Sequence, residues 1–312
     1  MVMPNSMADL LKRLRHLTRE TPHTTAVGAA ALLALVGVLG FFVSPTYGRW
    51  EIPQTVPPAE VQEAVRDPAA TSTPEPTATA VLLPDEAQVP ILMYHYVSEL
   101  PEDADVYRQD LTVPPDAFEA QLAYLDEAGH SPISLTDLHL HLTEGYPLPD
   151  KPVVLTFDDG YRDAYEVVFP KLLDHGFTGT FFVLATPAHY ESDAYLTWSQ
   201  MREMSEAGMD IQAHGRDHVD LRGRSYDFLV YQTLGIREAI EFHTGRTPRF
   251  FCYPAGRWDD DVIDVLDSAG YWGAVTTEWG RTQTYEDRFT MPRLRVRGEA
   301  SLESFVAWLE GE

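Results

Sequence analysis

Pro152-Val153-Val154-Leu155-Thr156-Phe157-Asp158-Asp159-Gly160 joins a short, β-branched apolar run to two carboxylates and a turn residue. The run is brief and ends in a turn signal, so it predicts a buried strand. Two adjacent carboxylates at its end repel each other, and burial disfavours their ionised forms. A cation or a shared proton is the usual compensation. Successive residues leaving a strand point in different directions, so one carboxylate can bind a metal while its neighbour faces a reacting molecule. The competing reading is a strand-to-helix turn in which Asp159 caps a helix beginning near Tyr161. These residues alone leave the two readings level.

Outward from this stretch the pattern alternates strand and helix. Upstream, Val89–Tyr94 reads as a strand leading into His95, followed by helices around Phe118–Leu125 and Leu135–Leu142. Downstream come a helix over Tyr161–His175, a strand over Thr178–Leu184 and a loop over Ala185–Leu196. Thr197-Trp198-Ser199-Gln200 opens a helix that Gly208 stops. Strands over Met209–Ala213, Arg249–Tyr253, Trp272–Thr277 and Leu294–Val296 then alternate with helices over 225–243, Asp259–Ala269 and Leu302–Leu309. Repeated βα units predict a parallel sheet, and about seven of them a closed or nearly closed barrel. Chemistry in such barrels sits at the C-terminal ends of the strands. Asp158, Asp159, His214, His95 and the turn Pro254-Ala255-Gly256 all fall there.

His214-Gly215-Arg216-Asp217-His218 places two imidazoles at i and i+4. A helical turn would set both on one face, about 5–6 Å apart at Cβ. Two unrelated loop histidines are the alternative, since short motifs match by chance. Two histidines and a carboxylate form a three-ligand set that leaves a position open for water, as in catalytic zinc sites.

With these residues the chain resembles the polysaccharide deacetylases with a NodB-homology domain, carbohydrate esterase family 4, from about Val89 to Leu309. Thr156–Gly160 matches the family's first motif; His214 and His218 match the second, with Gly215 in place of the usual hydroxyl residue. The resemblance implies a distorted (β/α)7 barrel, with Asp158 as general base and Asp159, His214 and His218 holding the metal. Zn2+ is the expected ion, with Co2+ or Ni2+ as alternatives. The third motif departs from the pattern: Cys252-Tyr253-Pro254-Ala255-Gly256 stands where many members have an arginine before P-P-Y-G. A backbone N–H at Ala255 could still stabilise an oxyanion, because that role needs no side chain, and Tyr253 is a substrate-binding candidate. Arg293 or Arg295 is the candidate for the missing base-orienting arginine; the alternative is a pair of surface arginines offsetting nearby acids. The C-terminal Leu-x-His motif is absent, and no histidine follows His243. Ile91-Leu92-Met93-Tyr94-His95 resembles the N-terminal strand of the poly-N-acetylglucosamine subgroup, which implies that His95 is the general acid.

The flanks set the context. Ala26–Val43 is an unbroken apolar run of 18 residues, long enough to span a bilayer. Residues 1–50 hold five basic and two acidic residues, a net charge of +3, so the remainder carries −28 of the −25 total. The positive-inside rule then predicts a cytoplasmic tail (1–25), a signal anchor (26–43) and everything later outside the cytoplasm. A cleaved signal peptide and secretion is the rival, although Phe42-Val43-Ser44-Pro45 is a poor cleavage site. Residues 44–88, rich in Pro, Thr and Ala, predict a disordered extracellular linker, and 89–312 the catalytic domain. So acidic a chain argues against nucleic acid as a partner. The lone Cys252 excludes an internal disulfide and reads as a small core residue. Together these imply a monomeric enzyme removing N-acetyl groups from an extracellular or cell-wall polysaccharide. An O-acetyl esterase, a catalytically silent carbohydrate-binding module and a scaffold with a structural metal are the alternatives.

Overall fold

The computed structural model describes residues 83–311. The predicted cytoplasmic tail, the membrane anchor at 26–43 and the linker up to residue 82 lie outside the described residues. Among the described residues no helix is long and apolar enough to cross a membrane. The last three residues of the predicted linker, Glu86–Gln88, form a short strand antiparallel to Thr282–Thr284.

Seven parallel strands make the barrel: β1 (Ile91–Tyr94), β2 (Pro152–Phe157), β3 (Thr180–Val183), β4 (Asp210–Ala213), β5 (Phe250–Cys252), β6 (Gly273–Trp279) and β7 (Met291–Arg295). Neighbours in the ring follow chain order, and β1 closes it by pairing with both β2 and β7. Leu92 lies in register with Leu155 on one side and Leu294 on the other. The strands are short and, apart from the exposed end of β6 and half-buried positions such as Pro292 and Arg295 of β7, buried on both faces, as apolar runs in a parallel sheet are. Side chains alternate between two layers. Ile91, Val154, Phe182, Phe250, Val275 and Met291 belong to one buried cluster with Leu135, Leu138 and Leu142. Leu92, Leu155, Phe157, Phe181, Phe251 and Leu294 pack in the other, against the surrounding helices. Each such side chain contributes roughly 1.5–3 kcal/mol relative to exposure.

Besides two short helices, Val106–Leu111 and Ala185–His189, the helices are α1 (Pro115–Glu127), α2 (Leu135–Glu144), α3 (Phe169–Asp174), α4 (Trp198–Glu206), α5 (Tyr226–Thr244), α6 (Asp260–Ser268) and α7 (Leu302–Glu310). The expected start of α4 is closed by a capping box between Thr197 and Gln200. The helix expected over Tyr161–His175 is corrected. Residues Ala164–Val168 form a π-turn within it, in which the Phe169 N–H reaches back to the Ala164 carbonyl, and regular α-helix runs from Phe169. Pro170 explains this, because it lacks the N–H that a continuous helix would need there. The expected loop at Ala185–Leu196 contains a short helix, Ala185–His189.

Asp210 opens β4 with one carboxylate oxygen accepting from Gln212 Nε2 at 2.7 Å and the other buried without a partner. Burial pushes its pKa up from 3.8 to about 6. A raised carboxylate pKa means the fold favours the protonated form, so the cost to stability grows as pH rises through this window and is absent below it. Asp210→Asn is therefore expected to raise the thermal midpoint at pH ~8 and to change it little at pH ~4. Equal shifts at both pH values in a thermal scan would refute this.

Candidate active site

The structure brings Asp159, His214 and His218 together at the C-terminal end of the barrel. Their ligand atoms lie within 4.8 Å of one another. Asp159 Oδ1 is 3.1 Å from His214 Nε2 and 3.4 Å from His218 Nε2. Asp159 adopts a left-handed backbone at φ 68°, a conformation that costs a non-glycine residue about 1–3 kcal/mol and clusters at functional sites. Its carboxylate faces the two imidazoles rather than the N–H groups of the turn that follows, so the capping alternative is set aside. Burial works against its ionised form, but the His214 hydrogen bond and the surrounding imidazoles hold its pKa below the usual range.

His214 extends β4 and is buried. Its Nδ1–H donates to the Cys252 carbonyl at 2.7 Å. A carbonyl only accepts, so Nδ1 carries a proton; Nε2, which here donates to Asp159 Oδ1 at 3.1 Å and whose proton the carboxylate helps to hold, is the nitrogen left to ligate once it gives that proton up. The chain does not turn helically between His214 and His218: Gly215, at φ 91°, turns it out of the strand without forming a helix. The rings still approach to 5.1 Å. A Cβ at position 215 would meet the Asp217 carbonyl and Gln232 Oε1 at 3.3 and 3.4 Å, on a backbone that glycine favours.

Asp158 points into the barrel, beneath the imidazoles. Arg293 reaches it from β7 with Nη1 to Oδ1 at 2.8 Å and Nη2 to Oδ2 at 2.7 Å. The remaining guanidinium donors go to the Thr276 carbonyl, Thr156 Oγ1 and Cys252 Sγ. Arg293 is thus wholly buried with all five N–H groups engaged. Burial pushes the Asp158 pKa up, but the guanidinium outweighs it and holds the carboxylate well below the ordinary range. Arg295 is half-buried and turns to Asp110 instead. Cys252, expected as a plain core residue, is buried but polar in its contacts: its S–H faces Asp158 Oδ2 at 3.4 Å.

His95 follows β1, with Nε2 3.9 Å from Asp158 Oδ2 and Nδ1 buried without a partner. Burial lowers its pKa, against the pull of the Asp158 and Asp159 charges. In the Pro254–Gly256 turn, Ala255 is exposed and left-handed at φ 55°. The turn's bonds run from Gly256 N–H to Tyr253 and from Arg257 N–H to Pro254, leaving the Ala255 N–H unused. A Cβ on Gly256 would sit 2.1 Å from Thr277 Oγ1, so this turn requires glycine. Tyr253 as a substrate-binding residue is corrected. Its ring is buried in the outer core against Phe251, and its hydroxyl donates to the Phe289 carbonyl at 2.9 Å. Residue 253 leaves β5 on the face opposite to Cys252, which is why its side chain turns to the helices.

Gln232 of α5 was not foreseen. Buried beneath the Gly215 loop, its Oε1 accepts from the N–H groups of Arg216 and Asp217, both at 3.0 Å, and its Nε2 donates to Asp217 Oδ2. Only its position among the apolar residues of a helix could have signalled it. Gln232→Leu is expected to weaken divalent-metal affinity by about 10–100-fold, the usual effect of removing a residue that orients ligands. Competition with a chromogenic chelator measures this, and unchanged affinity would exclude the role.

A family model described as polysaccharide deacetylase matches residues 145–274. The chain is 28% identical over 260 residues to the YxkH protein of Bacillus subtilis, covering 82% of this chain and 89% of that one. It is 26% identical over 246 residues to the poly-beta-1,6-N-acetyl-D-glucosamine N-deacetylase of Escherichia coli, covering 66% of this chain but 36% of the relative. Among solved structures it is similar to the Streptococcus pyogenes deacetylase PplD in complex with acetate. That match has a TM-score of 0.67 and 27% identity, over 72% of this chain and 98% of the other. IcaB from Ammonifex degensii matches with a TM-score of 0.62 and 25% identity, over 73% and 98% of the two chains.

Proposed function

We propose that this chain, whose residues 145–274 match the polysaccharide deacetylase family model, is a metal-dependent hydrolase that removes N-acetyl groups from an N-acetylglucosamine-containing polysaccharide. The observation that carries the proposal is the position of Asp158. It is ionised, held from below by Arg293, and adjacent to both His95 and the Asp159–His214–His218 cluster.

The donor set fits a divalent ion: one carboxylate and two imidazoles converge, and the Nδ1 bond of His214 turns its Nε2 toward Asp159, where an ion would replace the proton between them. Zn2+ suits two nitrogens and one oxygen with an open position, and Co2+ or Ni2+ could substitute. Bound there, the ion would polarise the amide carbonyl and acidify a water. Asp158 accepts the proton of the attacking water, and Arg293 keeps its oxygens fixed while it does so. The Ala255 N–H donates to the carbonyl oxygen as it gains negative charge. His95 delivers a proton to the departing nitrogen. Burial favours its neutral form at rest, so the proton it delivers is the one Asp158 has taken, across the 3.9 Å between them. One water and one amide thereby give acetate and a free amine.

The apolar run at 26–43 and the proline-rich stretch after it support a membrane-tethered enzyme with its catalytic domain outside the cytoplasm. Protease treatment of intact cells tests this, since a cytoplasmic domain would be protected. The activity itself is tested by acetate release from N-acetylglucosamine oligomers and from acetylated xylan, with Asp158→Asn and His95→Ala variants alongside. Release from the oligomers, lost in both variants, is the expected result. Release from xylan alone would make it an O-acetyl esterase, and oligomer binding without release under added Zn2+ a binding module.

A further inference from the structure

Three tyrosines flank the site. Tyr96 directly follows His95, Tyr161 follows the Asp158-Asp159-Gly160 turn, and Tyr195 is joined to Tyr161 by an antiparallel backbone bridge. Because β1 and β2 are neighbours, with Tyr94 opposite Phe157, Tyr96 and Tyr161 leave adjacent strand ends. Their rings stack with centroids 3.7 Å apart and planes 19° from parallel. Tyr195 joins at 5.2 Å, tilted by 35°. The Arg108 guanidinium lies 3.1 Å from the Tyr96 ring centroid, and its Nη2 is tied to Ser98 Oγ at 3.0 Å.

With Arg108 on one side and Tyr161 on the other, Tyr96 offers no open face on which a sugar ring could stack. Tyr161 in turn lies between Tyr96 and Tyr195. What the group can offer is its hydroxyl edge. Tyr161 lies two residues beyond Asp159, and its ring contacts both of the other rings, so the three phenols are held together next to that carboxylate. A phenol is an O–H donor at neutral pH, so the group gathers hydrogen-bond donors beside a carboxylate placed to hold a metal. All three residues are half-buried rather than enclosed in the core.

We propose that Tyr96, Tyr161 and Tyr195 act as one specificity-determining unit that hydrogen-bonds the hydroxyl groups of the hexosamine whose acetamide reaches Asp158. Stacking fixes the phenols in advance, so little freedom is lost when they bind. A site built to hydrogen-bond a hydroxyl discriminates far more strongly than an apolar wall does. The inference rests on the deacetylase reading and adds to it the part of the site that recognises the sugar.

Tyr161→Phe and Tyr195→Phe keep the rings and remove only the hydroxyls. The measurement is kcat/KM on an N-acetylglucosamine oligomer divided by kcat/KM on 4-nitrophenyl acetate, a non-sugar acetyl ester. In Tyr161→Phe this ratio is expected to fall about tenfold or more, mainly through KM on the oligomer. Tyr190→Phe, an exposed tyrosine outside the stack, serves as the control and keeps the wild-type ratio. An unchanged ratio in the tyrosine variants of an active enzyme would reduce the stack to a structural latch and overturn the inference. Equal losses on both substrates would overturn it too, by placing the phenol at the reacting centre. If the wild-type protein released no acetate from the oligomer, the deacetylase reading would fail first and take this inference with it.

Discussion

Replacing Arg293 with methionine is expected to lower acetate release by at least about 100-fold and to destabilise the domain by ~3–5 kcal/mol. Arg293 is fully enclosed, and its guanidinium holds both oxygens of Asp158. Removing it strands an ionised carboxylate inside the barrel with no compensating charge. Two consequences follow from one physical cause. The carboxylate takes up a proton to avoid the uncompensated charge, which would end the proposed use of Asp158 as a base. The fold also loses stability, seen as a fall in thermal midpoint of roughly 10 °C for a domain of this size. The double variant Arg293→Met with Asp158→Asn removes both charges. It is expected to regain much of the midpoint while remaining inactive, because buried pairs are costly to break but cheap to replace as a whole. Arg293→Lys should fall between, since an ammonium cannot supply five planar donors. A single methionine variant with near wild-type activity and midpoint would sink this account of Asp158.

Stripping the divalent ion with a chelator is expected to reduce acetate release to background while the barrel stays folded. The ring is closed by β1 pairing with β2 and β7, and its two buried layers do not depend on the three ligands. An ion present at about 100 times its dissociation constant adds only ~2.7 kcal/mol, so the midpoint falls by several degrees without loss of the cooperative transition. Restoring Zn2+ should return activity. Loss of the far-UV dichroism on chelation would instead support a scaffold with a structural metal. Within the ligand set, His214→Ala is expected to be costlier than His218→Ala. The His214 side chain is 2% exposed and anchored to the Cys252 carbonyl, whereas that of His218 is 43% exposed.

Much of this site was legible in the sequence because its parts lie at strand ends. Asp158, Asp159 and His214 each continue a short apolar run, and a parallel barrel gathers such ends on one rim. The deviations have local causes. Pro170 accompanies a π-turn in the helix after the acidic pair, and Gly215 turns the chain between the histidines without a helix. Gln232 and the stacked tyrosines were not legible, because a polar residue on a helix and an aromatic residue after a strand carry no mark of what they will meet.

What the sequence by itself determined was the alternation of strand and helix and the residue types at the strand ends. Those depend on periodicity and on chain-local order. Which arginine would serve Asp158 it could not determine. Arg293 and Arg295 are two residues apart on one strand, so they share a face and no pattern separates them. Depth separates them. Leu294 is level with Leu92 and Arg295 with Met93, which sets Arg293 deeper in the barrel. From there its extended side chain ends against Asp158, while that of Arg295 reaches Asp110. Strand register is a property of the closed ring, and only the assembled sheet fixes it.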